Sequence, residues 1–216
     1  MPLFIFLLFF GAGPARAQTR RPAPEADTQS WNDVQLAVPL GKPVDFVLLG
    51  TLRLGDNLTE PVDERLGIGF NFKAGNYLTL FPSYLSIWTQ PPGGRKAIES
   101  RLIFAGTLRF PVGKFSLSDR NQFERRFRRP QGASTRYRNR LQLDYPIEGT
   151  PLTLFTSDEV FYDWSVNDWV RNRFAVGASR KFNKQFTGDI YYMRQNDGRT
   201  RPGDLHIIGT IIRLRL

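Results

Sequence analysis

The chain has 216 residues, with 30 Lys and Arg against 20 Asp and Glu, a formal charge of +10, one His and no Cys. Without Cys there is no disulfide framework, and with a single His the common zinc sites are excluded, so neither a metal nor a cofactor is expected. The cations are spread over almost every segment instead of one patch, which argues against a nucleic-acid partner.

Leu3 to Phe10 is an unbroken apolar run, followed by Gly11-Ala12-Gly13-Pro14 and then Ala15-Arg16-Ala17. An apolar core followed by small residues and an A-x-A end reads as a secretory signal peptide over residues 1–17, cut near Ala17. The run is shorter than the roughly 20 residues of a spanning helix. Residues 18–29 are polar and hold Arg20-Arg21, Pro22 and Pro24, which reads as a flexible leader. No later segment is apolar over a spanning length. An exported chain of this kind is a soluble periplasmic or secreted protein, or a β-barrel.

From Ser30 onward the chain falls into segments of about ten residues or slightly more, separated by turn residues, which is the spacing of membrane β-barrel strands. Strand side chains alternate between two faces. In Val44–Leu54, Phe46, Leu48, Leu52 and Leu54 oppose Asp45, Thr51 and Arg53; in Glu64–Lys73, Leu66, Ile68, Phe70 and Phe72 oppose Arg65, Asn71 and Lys73. A long loop is expected over 55–63, a hairpin at Gly75-Asn76, a strand over 77–89 and a loop over 90–96. Leu102, Phe104, Leu108 and Phe110 oppose Glu99, Arg101, Thr107 and Arg109; Phe115, Leu117, Phe123 and Phe127 oppose Ser118, Arg120, Gln122, Glu124 and Arg126. Tyr137, Leu141, Leu143 and Tyr145 oppose Arg136, Arg138, Arg140, Gln142 and Asp144. Leu154, Val160 and Tyr162 oppose Ser157, Glu159, Phe161 and Asp163, with Asp158 on the otherwise apolar face. Phe174, Val176 and Phe182 oppose Arg171, Arg173 and Lys181. After a strand over 185–196, the closing strand from Asp204 places Ile208, Ile212, Leu214 and Leu216 against Arg213 and Arg215.

The fold expected is a single all-β antiparallel transmembrane β-barrel over residues 30–216, with short periplasmic turns and longer outer loops, in the outer membrane of a Gram-negative bacterium. Eleven segments can be counted, but two periplasmic termini require an even number, so about twelve strands are expected, with ten the alternative. The expected partners are outer-membrane lipid and, through the closing strand, the barrel-assembly machinery.

Arg120-Asn121-Gln122-Phe123-Glu124-Arg125-Arg126, Arg136-Tyr137-Arg138-Asn139-Arg140-Leu141, Asp158-Glu159-Val160-Phe161-Tyr162, Arg171-Asn172-Arg173, Tyr191-Tyr192-Met193-Arg194-Gln195 and the closing strand occur in that order. In these pieces the chain resembles a bacterial outer-membrane β-barrel family known only as a domain of unknown function. The resemblance implies the fold and the location, and no activity.

The inward rows gather Arg101, Arg120, Arg126, Arg138, Arg140, Arg171 and Arg173 with Glu124, Asp144 and Glu159. Guanidinium forks bind carboxylates at two points, so one reading is a salt-bridged filling of a narrow lumen. The other is a passage or binding site for a small anionic solute. His206 is the one candidate general base; a lipid-modifying hydrolase would need a Ser beside it, with Ser157 and Ser179 as candidates. A non-catalytic His206 would sit at headgroup level. Asp56, Asp63 and Glu64 are candidate calcium ligands. Trp31, Tyr77, Tyr84, Trp88, Tyr145, Tyr162, Trp164, Trp169 and Tyr192 are expected in the two interfacial girdles.

Overall fold

Alternating rows of apolar and charged side chains can be satisfied together only if the sheet curls until one face encloses the other. The computed structural model describes residues 25–90, 96–129 and 131–216. Its strands are β1 (Ala26–Pro39), β2 (Val44–Gly55), β3 (Glu60–Ala74), β4 (Leu78–Thr89), β5 (Ala97–Val112), β6 (Phe115–Arg128), β7 (Gly132–Pro146), β8 (Leu152–Asp163), β9 (Asp168–Lys181), β10 (Phe186–Asp197) and β11 (Asp204–Arg215). Each pairs with the next, and β1 closes on β11. Closure leaves no edge of unpaired N–H and C=O groups, the condition for crossing a bilayer with strands.

The closed all-β barrel agrees with the sequence reading; its seam differs. The consecutive pairs are antiparallel, but β1 and β11 run parallel in an unbroken register from Ala26↔Asp204 to Ala37↔Arg215. An odd number of up-and-down strands brings the last one back pointing the same way as the first. The count is therefore eleven among the described residues, between the alternatives of ten and twelve, and Ala26 and Arg215 lie at opposite ends of the barrel. We call the end where β1 starts the leading end and the other the trailing end.

The signal peptide over 1–17 and the leader up to residue 24 lie outside the described residues. The leader does not extend to residue 29, however, because Ala26–Gln29 already belong to β1. Asp27 and Gln29 continue the inward row of Trp31 and are buried with it. The Asp27 carboxylate also accepts the backbone N–H groups of Asp56 and Asn57, at 3.2 and 3.0 Å, which fixes the β2–β3 turn. That turn is shorter than the loop expected over 55–63: Asp56, Asn57 and Leu58 reverse the chain with positive φ angles, and β3 starts at Glu60. Besides the segment 90–96, the longest connection is 198–203, also at the leading end.

The outward rows are exposed apolar side chains, among them Leu66, Ile68, Leu102, Phe104, Phe123, Phe174, Ile190 and Ile208. The buried residues include Glu99, Arg101, Glu124, Arg136, Glu159 and Arg173. This is a soluble protein turned inside out, the distribution of a barrel surrounded by lipid. Most of the expected girdle aromatics face outward; Tyr162 packs edge-on against Trp164 and Trp169 at the leading end, with centroids 5.5 and 5.3 Å apart. Trp31 does not belong to a girdle. It lies inside, 3% exposed, with Ala175, Tyr191, Leu205 and Ile207, so the wall from β9 round to β1 is partly apolar within the lumen. Tyr191 fits there because Gly209 has no side chain; a Cβ at that position would collide with the phenol ring.

The parallel seam can be tested directly in a chain without Cys. Asn32 is the register partner of Thr210, whose hydroxyl donates to the Asn32 side-chain oxygen at 2.8 Å. The spacing of adjacent strands, about 4.8 Å, suits a disulfide. The variant Asn32→Cys/Thr210→Cys should therefore form an intramolecular disulfide on mild oxidation, read as faster migration of the denatured chain on a non-reducing gel. No disulfide in the folded barrel would mean that another strand separates β1 from β11.

Candidate functional site

Strand alternation turns one row of each strand inward, on β5 to β9 a row rich in Arg, Glu and Asp, and the register then decides who meets whom. Glu124 stands between Ile103 on β5 and Arg136 on β7, and Arg136 stands beside Asp163 on β8. Two layers away, beyond Gln122 and Arg138, Arg140 separates Arg120 from Glu159, which is followed by Arg173. The side chains are long enough to link the layers.

Glu124 is fully buried at the centre of this network. Its Oε2 accepts from Arg136 Nε at 2.9 Å and Nη2 at 2.6 Å, and its Oε1 from Arg138 Nη1 at 2.8 Å and Gln122 Nε2 at 2.7 Å. Arg101 approaches to 3.4 Å. Glu159 is a second hub, receiving Arg120 Nη2 and Arg138 Nη2, each at 2.8 Å, with Arg173 at 3.6 Å. Arg138 thus joins the two hubs. Towards the leading end, Glu99 binds the Arg126 fork at two points, both 2.9 Å, and also holds Arg101. Arg126 reaches Asp163 at 3.4 Å, and Arg171 pairs with Asp197. Charges this deep persist only when each carboxylate is neutralised and hydrogen-bonded several times over.

Two aromatic rings complete the packing. Phe161 has no exposed surface and lies under four guanidinium groups: Arg138 and Arg173 at 4.6 and 4.7 Å from its centroid, and Arg136 and Arg171 at 5.2 and 5.4 Å. Trp31 carries Arg53 at 3.5 Å and shares Arg173 at 4.7 Å. A ring face offers the cations negative potential without adding a carboxylate.

The network divides the lumen. A cavity of about 360 Å³ lies towards the leading end and a larger one of about 610 Å³ towards the trailing end. Trp31, Arg53, Arg65, Arg138 and Arg173 line both and form the partition. In the larger cavity Arg120 and Arg140 occupy directly paired positions on β6 and β7. Like charges placed opposite each other repel. Arg120 is held by Glu159 through Nη2, but its Nε is buried without a partner. Glu159 turns to Arg120, Arg138 and Arg173, and among the described residues no carboxylate lies within ion-pair distance of Arg140.

Thus Arg101, Arg120, Glu124, Arg126, Arg138, Arg140, Glu159, Arg171 and Arg173 all face the lumen, as the alternation implies. Asp144 lies apart at the trailing end, accepting from Gln142 at 2.6 Å and facing an exposed Arg109 at 3.7 Å. His206 lies on the outer wall, where its Nδ1 meets the Tyr192 hydroxyl at 2.7 Å. Ser157 and Ser179 line the larger cavity on the other side of that wall, so no Ser–His pair forms between them. The calcium candidates are separated too: Asp63 points inward to Arg65 and Arg53, Glu64 is exposed, and no metal-holding group occurs among the described residues. The structural roles of Phe161 and Trp31 were not anticipated. Alternation puts Phe161 inside, but the cations over its faces come from β7 and β9.

A closed sheet with an apolar exterior and an ion-paired interior defines a β-barrel of the outer-membrane type. The chain belongs to the family described as Protein of unknown function (DUF2490), whose profile matches residues 28–205. None of the curated proteins matches it. Two solved structures are similar in fold. One is the anion-selective porin from Comamonas acidovorans, 12% identical with a TM-score of 0.41, the match covering 81% of this chain and 53% of the porin. The other is the translocator domain of the autotransporter NalP from Neisseria meningitidis, 16% identical with a TM-score of 0.47, the match covering 74% of this chain and 71% of that one. The chain thus spans about half the length of the porin it matches.

The two kinds of lumen charge should respond oppositely to neutralisation. Glu124→Gln leaves three guanidinium groups around a neutral amide and should destabilise the folded barrel by about 3–5 kcal/mol. Arg140→Gln removes a cation that repels Arg120 and should leave stability unchanged or raise it. Urea midpoints of both variants in detergent check this; equal losses would contradict the assignment of Glu124 as a hub.

Proposed function

We propose that this protein is an integral outer-membrane β-barrel whose lumen is a narrow, anion-binding passage. It reaches the membrane after export through the signal peptide expected over 1–17. The exposed apolar rows support a lipid environment over a soluble periplasmic one. Lipid is then the partner of the outer wall, and β11 is the element read by the barrel-assembly machinery. With the end of β11 on the periplasmic side, the larger cavity opens towards the periplasm and the smaller one to the outside.

The observation that carries the anion reading is the pair Arg120 and Arg140, two cations facing each other across adjacent strands on the wall of the larger cavity, one without a carboxylate. A carboxylate or phosphate between them would accept two forks and remove the repulsion. The partition at Arg53, Arg65, Arg138 and Arg173 makes this a restricted path for small solutes instead of an open pore, in keeping with a barrel that holds little more than its own side chains. The placement of His206, outside and away from the serines, favours no hydrolase reading.

Inorganic phosphate tests this reading. At a concentration ten times its dissociation constant it should stabilise the folded barrel by about 1.4 kcal/mol relative to chloride at equal ionic strength. Arg140→Gln should abolish the gain. An equal phosphate shift in wild type and variant, or none in either, would overturn the reading.

A further inference from the structure

The larger lumen cavity is not polar all round. Arg120 and Arg140 stand on its β6–β7 wall, and the walls on either side are apolar. Phe81, Leu85 and Ile103 on β4 and β5 form one flank, and Phe155, Tyr191 and Met193 on β8 and β10 form the other. An ion-paired filling does not require these residues, since the inward rows of such barrels are polar by default. Two of the rings are also held out of the way. A Cβ at Gly69 would come within 2.8 Å of the Phe81 ring, and one at Gly177 within 2.6 Å of the Phe155 ring. Each ring therefore lies back over a glycine of the neighbouring strand, against the wall and not across the lumen, and about 610 Å³ stays open. Sites for small organic ligands have about 300–1,000 Å³, an apolar and aromatic lining and a few polar groups that orient the ligand. The carboxylates that share the cavity are engaged: Glu159 with Arg120 and Arg138, Asp144 with Gln142, Asp189 with Arg213 and Asp33 with Thr51.

We propose that the larger cavity takes an amphipathic organic anion: one carboxylate or phosphate head on an aliphatic or aromatic body. The head lies between Arg120 and Arg140 and accepts their forks. The body lies between the Phe81 and Phe155 flanks and removes them from water. Inorganic phosphate would satisfy the cations and leave the flanks wet. A neutral apolar molecule would cover the flanks and leave the cations facing each other. A molecule with both parts satisfies both. This inference rests on the anion reading of the Arg120–Arg140 pair and names the kind of anion.

Calorimetric titration of the barrel refolded in an uncharged detergent compares inorganic phosphate with phenyl phosphate, two dianions at about pH 8 that share a head and differ by a ring. Phenyl phosphate should bind at least about tenfold more tightly, the gain expected from burying a ring. Phe81→Thr and Phe155→Thr, one from each flank, should each lower its affinity about fivefold and leave that of inorganic phosphate unchanged. Arg140→Gln should abolish both. With two flank variants, the loss of one to misfolding, seen as absent heat-modifiable migration, leaves the other to decide. If inorganic phosphate binds and phenyl phosphate binds no better, the amphipathic site is overturned and the anion passage stands. If neither binds, both are overturned. An equal loss of the two ligands in a folded Phe variant would also contradict the proposal, since the rings would then only support the barrel.

Discussion

The interior of this barrel depends on a carboxylate that no solvent reaches. Glu124 accepts hydrogen bonds from Arg136, Arg138 and Gln122, with Arg101 close by, and through Arg138 it is tied to Glu159, which holds Arg120 and Arg173. The two hubs convert a repulsive column of Arg residues into a set of crosslinks between β5, β6, β7, β8 and β9. Without them, the positions that alternation turns inward would hold an uncompensated positive charge. With them, the lumen is filled and partitioned, and the larger cavity keeps a pair of cations, Arg120 and Arg140, that the protein's own carboxylates satisfy only in part.

The wall answers to a second constraint, that backbone groups in hydrocarbon must be paired. A sheet of eleven up-and-down strands meets it by accepting one parallel seam, at which β1 and β11 pair over the length of β1 from Ala26 to Ala37. Asp45 ties the trailing end of that seam, accepting from Arg215 at 2.5 and 2.7 Å. At the leading end, Asp27 ties β1 to the β2–β3 turn instead. The Asp45–Arg215 pair thus helps fix the register that the apolar outer face alone would leave free to slip by two residues.

Much of this was legible in the sequence because strand alternation is a two-residue period that burial obeys strictly. Leu66, Ile68, Phe70 and Phe72 read as outward and Arg136, Arg138 and Arg140 as inward, and they lie so. What the period does not encode is which strand neighbours the first, since parity was inferred from where the termini should lie and not from any residue. Trp31 was read from its type, as an interfacial aromatic, although its place in the row with Asp27 and Gln29 puts it inside. Pairing within the lumen was likewise hidden: that Glu159 would serve Arg120 and leave Arg140 aside depends on side-chain reach across three strands. Asp158 stood out in the sequence as polar on an apolar face, but its partner, Asn172 on the neighbouring strand, which donates to it at 2.9 Å, follows only from the register.

The central claim is that the apolar face of this sheet is the outer one and the charged face the inner one. Heat-modifiable gel migration of the protein refolded into lipid vesicles tests it most directly. A compact band that shifts to the position of the unfolded chain only on boiling, from protein that needs lipid or detergent to stay in solution, is the expected result. A protein that remains folded and monomeric in plain buffer, with no shift on heating, would contradict it.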